Sequence, residues 1–221
     1  MKLTFKDLNA VFDTGILAVN SLVIENGPLF RTLLQDVVEQ IEGRAGDSVL
    51  SLDNRPIDIA KNLEILDRFV PFEINKKTLL NKIMSSLEKT AMNEEHFENT
   101  QRLLSEIEMW ADNIAFSELC DIICTKISVS TLIRSIGIEL RDDYAGLGEK
   151  LLDYMELVRE YDREKLFLAV NLHSYFSPDE MELFLRSVIS KGFHVFLLDS
   201  ADSYKADCER RVIVDEDLCE I

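Results

Sequence analysis

An α/β fold built on a mostly parallel sheet, with an inserted helical hairpin, is what this sequence predicts. Three observations carry that expectation. Residues 165–200, KLFLAVNLHSYFSPDEMELFLRSVISKGFHVFLLDS, read as strand, helix and strand. From Lys76 to Leu119 the chain has no glycine, no proline and a dense run of charges. After Leu119 the globular pattern returns.

Taken in order, Met1 to Phe5 alternates as a strand does, and Val11 to Ile24 reads as a second strand or hairpin broken by Asp13 and Gly15. Asn26-Gly27-Pro28 opens a helix with Leu29, Leu33, Val37 and Ile41 on its apolar face, ending before Gly43. Val49 to Leu52 is a short strand, followed by a turn at Asp53-Asn54-Arg55-Pro56. Ile59, Leu63, Leu66 and Phe69 fit a helix over 57–69.

In the charged stretch, Leu79, Ile83 and Leu87 mark one helical stripe. Leu103, Ile107, Trp110 and Ile114 mark a second, near coiled-coil spacing, and Met92 to Glu95 makes the turn between them. Beyond it, Ser130 to Ile136 is a short helix closed by Gly137, Ile138 to Leu140 a strand, and Asp142 the start of a helix to about Tyr161.

The last unit is the most legible. Leu166 to Val170 is apolar throughout, as a strand buried on both faces should be. Ser177 is a good N-cap, Pro178 suits the first helical position, and Asp179 and Glu180 meet the positive end of the helix dipole. Met181, Phe184, Leu185, Val188 and Ile189 recur at helical spacing, Gly192 ends the helix, and His194 to Leu198 is the second strand. Such a crossover is right-handed and its strands are parallel. Ligands in parallel sheets bind beyond the carboxyl ends of the strands, here Asn171 to Tyr175 and Asp199 to Ala201. Arg211 to Val214 reads as a last strand.

The 221 residues suffice for one α/β domain with an insertion, or for two small domains. No run is long and apolar enough to span a bilayer, and MKLTFKDLNAVF does not read as a signal peptide, so a cytoplasmic location is expected. Four cysteines without a second chelating pair point to reduced, mostly buried thiols rather than zinc. With 24 basic and 41 acidic residues the formal charge is −17. Taken alone, that argues against nucleic acid and against anionic membranes.

Sequence motifs for catalysis are weak. Ala145-Gly146-Leu147-Gly148-Glu149-Lys150 fails as a Walker loop, because one residue separates its glycines and Leu151 follows the lysine. It fails as a dinucleotide fingerprint, because Leu151 stands where a third small residue is needed. His173 with Asp199 is a candidate acid/base pair at the sheet edge, but no nucleophile elbow accompanies it. The basic residues Arg31, Arg55, Lys61, Lys76-Lys77, Lys126, Arg134 and Arg210-Arg211 are scattered. On one chain they read as solvated surface; in a closed ring symmetry would repeat each of them around one lumen.

The assembled pattern resembles the small CRISPR-associated protein family of type II-A systems that takes part in spacer acquisition. The likeness covers nearly the whole chain. It rests on ILAVNSLVIENGPLFRTLLQDV, VLSLDN, TLIRSIGIEL, LFLAVNLHSYFSPDEM with FHVFLLD after it, and the closing VIVDEDL, in their order and spacing. The resemblance implies an α/β head with a degenerate NTPase-like sheet, residues 1–75 and 120–221, and an α-helical leg, 76–119. It implies a non-enzymatic protein that forms a homotetrameric ring and threads double-stranded DNA by its free ends. The inner wall would contact the duplex through Lys and Arg, and the partners would be the integrase pair and the RNA-guided effector nuclease. No motif ties those contacts to positions; the expected ones are Arg31, Arg55, Lys61, Lys126 and Arg134. Some members bind calcium through an acidic run after the leg. In the matching SELCDIICTKIS, Glu118 and Asp121 remain as metal candidates, while Ile123, Thr125 and Lys126 replace expected acids. Two other readings stand beside this one: a nucleotide-dependent or hydrolytic enzyme using His173, Asp199 and the Gly146 loop, and a protein–protein adaptor acting through the leg.

Overall fold

A computed structural model of the chain describes residues 1–6, 8–14, 18–120 and 122–221. The chain divides into two compact units, residues 1–73 with 143–221, and residues 74–142. The first holds all the strands. Strands β1 (Lys2–Thr4) and β2 (Val11–Asp13) pair antiparallel, and β3 (Val19–Ile24) is buried along its whole length. Helix α1 (Gly27–Ile41) follows, then β4 (Val49–Leu52), β5 (Arg55–Ile57), a single-turn helix α2 (Ile59–Asn62) and β6 (Leu63–Leu66).

In the second unit lie α3 (Lys77–Ala91), α4 (Phe97–Ala115) and α5 (Val129–Ile136). The chain then returns to the first unit with α6 (Leu147–Tyr161), β7 (Leu166–Val170), a 3-10 turn at Leu172–Tyr175, α7 (Pro178–Lys191), β8 (His194–Asp199) and β9 (Glu209–Val214).

The central sheet has the order β6-β7-β8-β3-β9, and every pairing in it is parallel. This is the mixed α/β class expected, with the 165–200 crossover as its middle. Alternation along the strands decides what covers each face. Leu166, Leu168, Val170, Phe196 and Leu198 join Leu22 and Ile24 in a core shared with Leu3, Phe5, Phe12, Leu33, Val37 and Leu50. That core lies under α1 and a small antiparallel sheet of order β2-β1-β4-β5. Phe12 meets Phe196 edge-on at 4.8 Å between ring centres. Alternation turns Phe167, Ala169, Val195 and Leu197 to the opposite face, the side of α6 and α7; all four are buried, as are Leu151, Met155, Met181, Leu185 and Val188 on those helices.

Several local expectations are corrected. The stretch 11–24 is not one hairpin: β2 and β3 belong to different sheets; Gly15 lies outside the described residues. Asp53 and Asn54 both take positive φ, so the turn is the two-residue type that hairpins favour, and Arg55 begins the return strand. Pro56 is tolerated there because β5 is an edge. Residues 57–69 are not a helix. Asp58 caps only one turn, and Leu63 to Leu66 enters the ladder beside β7; a short apolar run suits either state, and tertiary pairing decides. Ile138 to Leu140 is not a strand. Instead, the Asn75 amide satisfies the Leu140 backbone, its Oδ1 accepting the N–H at 2.7 Å and its Nδ2 donating to the carbonyl at 3.1 Å. α6 starts at Leu147, not Asp142. The four cysteines are free, as expected, but none is buried.

Within the second unit, Leu79, Ile83 and Leu104 form the buried seam. Glu88 on α3 accepts from Ser130 at 2.8 Å and thereby ties α5 to α3. Of the stripe Leu103, Ile107, Trp110 and Ile114, Ile107 is half-buried and the other three are exposed, Trp110 at 64%.

The aromatic contact at the sheet centre makes a direct prediction. Phe196→Ala should cost about 3–5 kcal/mol of unfolding free energy, because Phe196 is fully buried between Phe5 and Phe12. Urea melts check this, and a loss near zero would mean that the sheet does not pack as described.

Candidate functional site

Asn171, at the end of β7, takes a left-handed conformation, φ 56°. Its Oδ1 accepts from the Ser200 backbone N–H at 2.8 Å and from the Ser200 hydroxyl at 3.0 Å. The loops that leave the two parallel strands are thus tied together.

Beneath them lies a buried cluster of charges. His173 Nδ1 is 2.9 Å from Asp199 Oδ2, and its Nε2 is 3.1 Å from Glu209 Oε2. Glu209 also accepts from the Ser21 hydroxyl and, at 2.7 Å, from Arg211 Nε. Arg211 reaches on to Asp202 at 2.7 Å and to the Ser203 and Tyr204 carbonyls, both at 2.8 Å. His173, Asp199 and Glu209 are all under 6% exposed, His173 at 5%. Removing four ionisable groups from water is costly unless they compensate one another. They do so here with two cations and two anions, once His173 is protonated. Burial opposes that charge, but the hydrogen bonds to Asp199 and Glu209 outweigh it and raise the His173 pKa to about 9. Glu209 is likewise opposed by burial, and its bonds to His173, Arg211 and Ser21 bring it down to about 2.

The structure therefore brings His173 and Asp199 together, as the sequence suggested, but in a closed network. Both ring nitrogens are committed, and a general base must reach the proton that it takes. The cluster ties the 200–208 segment to the sheet. Sequence reading missed Glu209 and took Arg211 for solvated surface, whereas its side chain is buried. The available signal was an acid and a base two apart at the start of a strand, which places both on one face.

The Gly146 loop also has a packing explanation. A Cβ on Gly148 would lie 3.3 Å from Phe176 Cε1, so glycine permits the close approach of α6 to that ring. Gly146 is the N-cap of α6 in extended conformation, and Glu149 Oε2 accepts from the Ala145 N–H at 3.1 Å.

Each expected DNA contact is exposed. Arg31 is on α1, Lys61 on the adjoining α2 and Arg55 on edge strand β5, all in the first unit. Lys126 and Arg134 are in the second unit. Among the described residues Arg31, Arg55 and Lys126 have no ion pair. Lys61 pairs with Asp58 at 3.1 Å and Arg134 with Glu88 at 3.8 Å. These five come from separate elements, and no one element of the chain gathers them. Of the metal candidates, Asp121 lies outside the described residues, and Glu118 sits exposed in the turn after α4. Hard cations need about six to eight oxygens, and among the described residues no cluster of three or more metal-ligating side chains exists.

These features define an α/β protein with an all-parallel central sheet, a helical second unit, and strand-end polar groups closed on one another rather than offered to a substrate. The chain belongs to the CRISPR-associated protein family Cas_Csn2, whose model matches residues 40–218. Its structure is similar to the crystal structure of Stu0660 of Streptococcus thermophilus, with a TM-score of 0.57 and 12% identity, covering 92% of this chain and 70% of that one. At that identity the likeness is one of fold. No curated protein matches. Among the described residues no helix is long and apolar enough to cross a membrane.

The charge cluster sets a pH dependence. His173 has a folded pKa above its ordinary 6.5, so its contribution is complete below about pH 6.5 and lost as pH rises to about 9. Glu209 lies below its ordinary 4.5, so its contribution is complete above that pH and lost as pH falls to about 2. Stability from the cluster should plateau between these limits. His173→Gln should remove the alkaline decline and cost about 3–5 kcal/mol on the plateau. Thermal melts of both proteins across pH check this; parallel profiles above pH 6.5 would contradict it.

Proposed function

We propose that this protein is a non-enzymatic, double-stranded DNA-binding component of CRISPR spacer acquisition, which acts as a homotetrameric ring around duplex ends. The observation that carries the reading is family membership over residues 40–218. Exposed bases without ion pairs, Arg31, Arg55 and Lys126, in a chain of net charge −17 support it. Bases that salt bridges do not occupy are available to phosphate, and scattered bases form a groove only when copies bring them together. The acidic remainder then repels DNA from the outside of the ring. Phosphate contacts carry no sequence information, as suits a protein that handles arbitrary invading DNA. The enclosure of His173 and Asp199 weighs against the hydrolytic alternative. In this reading the protein works in the cytoplasm with the integrase pair and the RNA-guided effector nuclease.

A second reading, a protein–protein adaptor acting through the helical unit, is favoured by the uncovered stripe of Leu103, Trp110 and Ile114.

The two separate in a binding assay. Linear duplex should bind, the same duplex closed into a circle should bind at least about tenfold more weakly, and affinity should fall steeply with salt. Joint replacement of Arg31, Arg55 and Lys126 by Ala should flatten the salt dependence by about 0.9 for each phosphate that the variant no longer neutralises. Equal binding of both forms would overturn threading, and no binding of either at low salt would overturn the DNA reading in favour of the adaptor.

A further inference from the structure

The first unit carries a cavity that neither the fold nor the DNA reading uses. It measures about 340 Å³ and opens between the first turn of α6 and the segment from Tyr175 into α7. Its walls are largely apolar: Leu147, Leu152, Tyr175, Phe176, Leu183 and Phe184. Phe176 and Phe184 stack with centres 5.5 Å apart. Leu183, 69% exposed, and Tyr175, 45% exposed, border the opening. On α7 the core-facing positions are Met181, Phe184, Leu185 and Val188, so Leu183 is an apolar residue that the sheet does not require.

The charged groups of the cavity have one sign. Glu149 and Glu180 line it, and no lysine or arginine does. Each carboxylate is held by one oxygen. Glu149 Oε2 accepts the Ala145 N–H, and Glu180 Oε2 accepts the Ser177 N–H and hydroxyl. Among the described residues neither Oε1 has a partner. Both side chains are therefore oriented, each with an acceptor left over. Two carboxylates disfavour a phosphate or any anionic ligand here. Aromatic walls with a carboxylate rim favour an apolar group that lies next to positive charge.

We propose that this cavity is a docking site for a partner protein, which inserts one large apolar side chain from a segment whose neighbouring residues are Lys or Arg. Charge complementarity decides the occupant: a chain of net charge −17 with two oriented carboxylates at an apolar mouth selects a basic segment. A volume near the lower end of the roughly 300–1,000 Å³ usual for ligand pockets suits one or two side chains. Large exposed apolar residues at a concave site are what interface anchors use. This proposal does not rest on the DNA reading, since none of the bases expected to contact DNA lines the cavity.

The test is fluorescence polarisation of the full chain with short labelled peptides, each with one central Phe, Leu, Met or Trp flanked by Lys and Arg. At least one should bind, and replacing its central residue by Ala should weaken it about tenfold or more. Leu183→Asp should weaken it as much while leaving thermal stability and duplex binding unchanged. Glu149→Gln with Glu180→Gln should weaken it and reduce its salt dependence. Equal binding of the Ala-centred peptide, or undiminished binding to the Leu183→Asp protein, would mean mere attraction to an acidic surface and overturn the site. No binding by any peptide would do the same. If phenethylammonium bound as tightly as the best peptide, the cavity would be a small-molecule site and docking would be overturned.

Discussion

His173, held between Asp199 and Glu209, is the interaction on which the arrangement of this molecule most depends. It joins the turn after β7, the end of β8 and the start of β9, three places distant in sequence. Four ionisable groups shielded from water have one economical solution, in which the charges cancel and each group bonds to another of the set. That solution occupies the carboxyl ends of β7 and β8, the side on which a parallel sheet ordinarily receives a ligand. Both nitrogens of the His173 ring already hold carboxylates, which gives the ring a structural part in joining these segments.

The legibility of the sequence followed how much of each element's identity was local. The 165–200 crossover was read correctly because Ser177, Pro178 and Gly192 punctuate it and its strands are apolar on both faces. Residues 63–66 were misread because their strand character comes from pairing with β7, a partner that lies far along the chain. Residues 138–140 were misread for the opposite reason. Their β-like composition found a side-chain amide, Asn75, in place of a neighbouring strand. Arg211 looked like solvated surface because nothing nearby reports that Glu209 and His173 enclose it. The pairing of His173 with Asp199 was legible, because a crossover brings adjacent strand ends together, whereas the closure of the network came from β9 and was not.

The surface has a different organisation from the core. Its acids outnumber its bases, yet Arg31 and Arg55 stand without carboxylate partners among the described residues while Lys61 is paired. Unpaired bases on an acidic protein are costly to collect on one chain and simple to collect by symmetry. The uncovered stripe on α4 and the carboxylate-rimmed cavity beside α6 are chemically unlike each other, one apolar and one apolar with oriented acids. They would attract different surfaces.

The claim that assembly creates the DNA site is tested most directly by native mass spectrometry of the protein with and without a short linear duplex at low ionic strength. The account expects four chains, and four chains with one duplex when DNA is added. A single chain that binds duplex unaided, or an assembly that never takes up DNA, would contradict it.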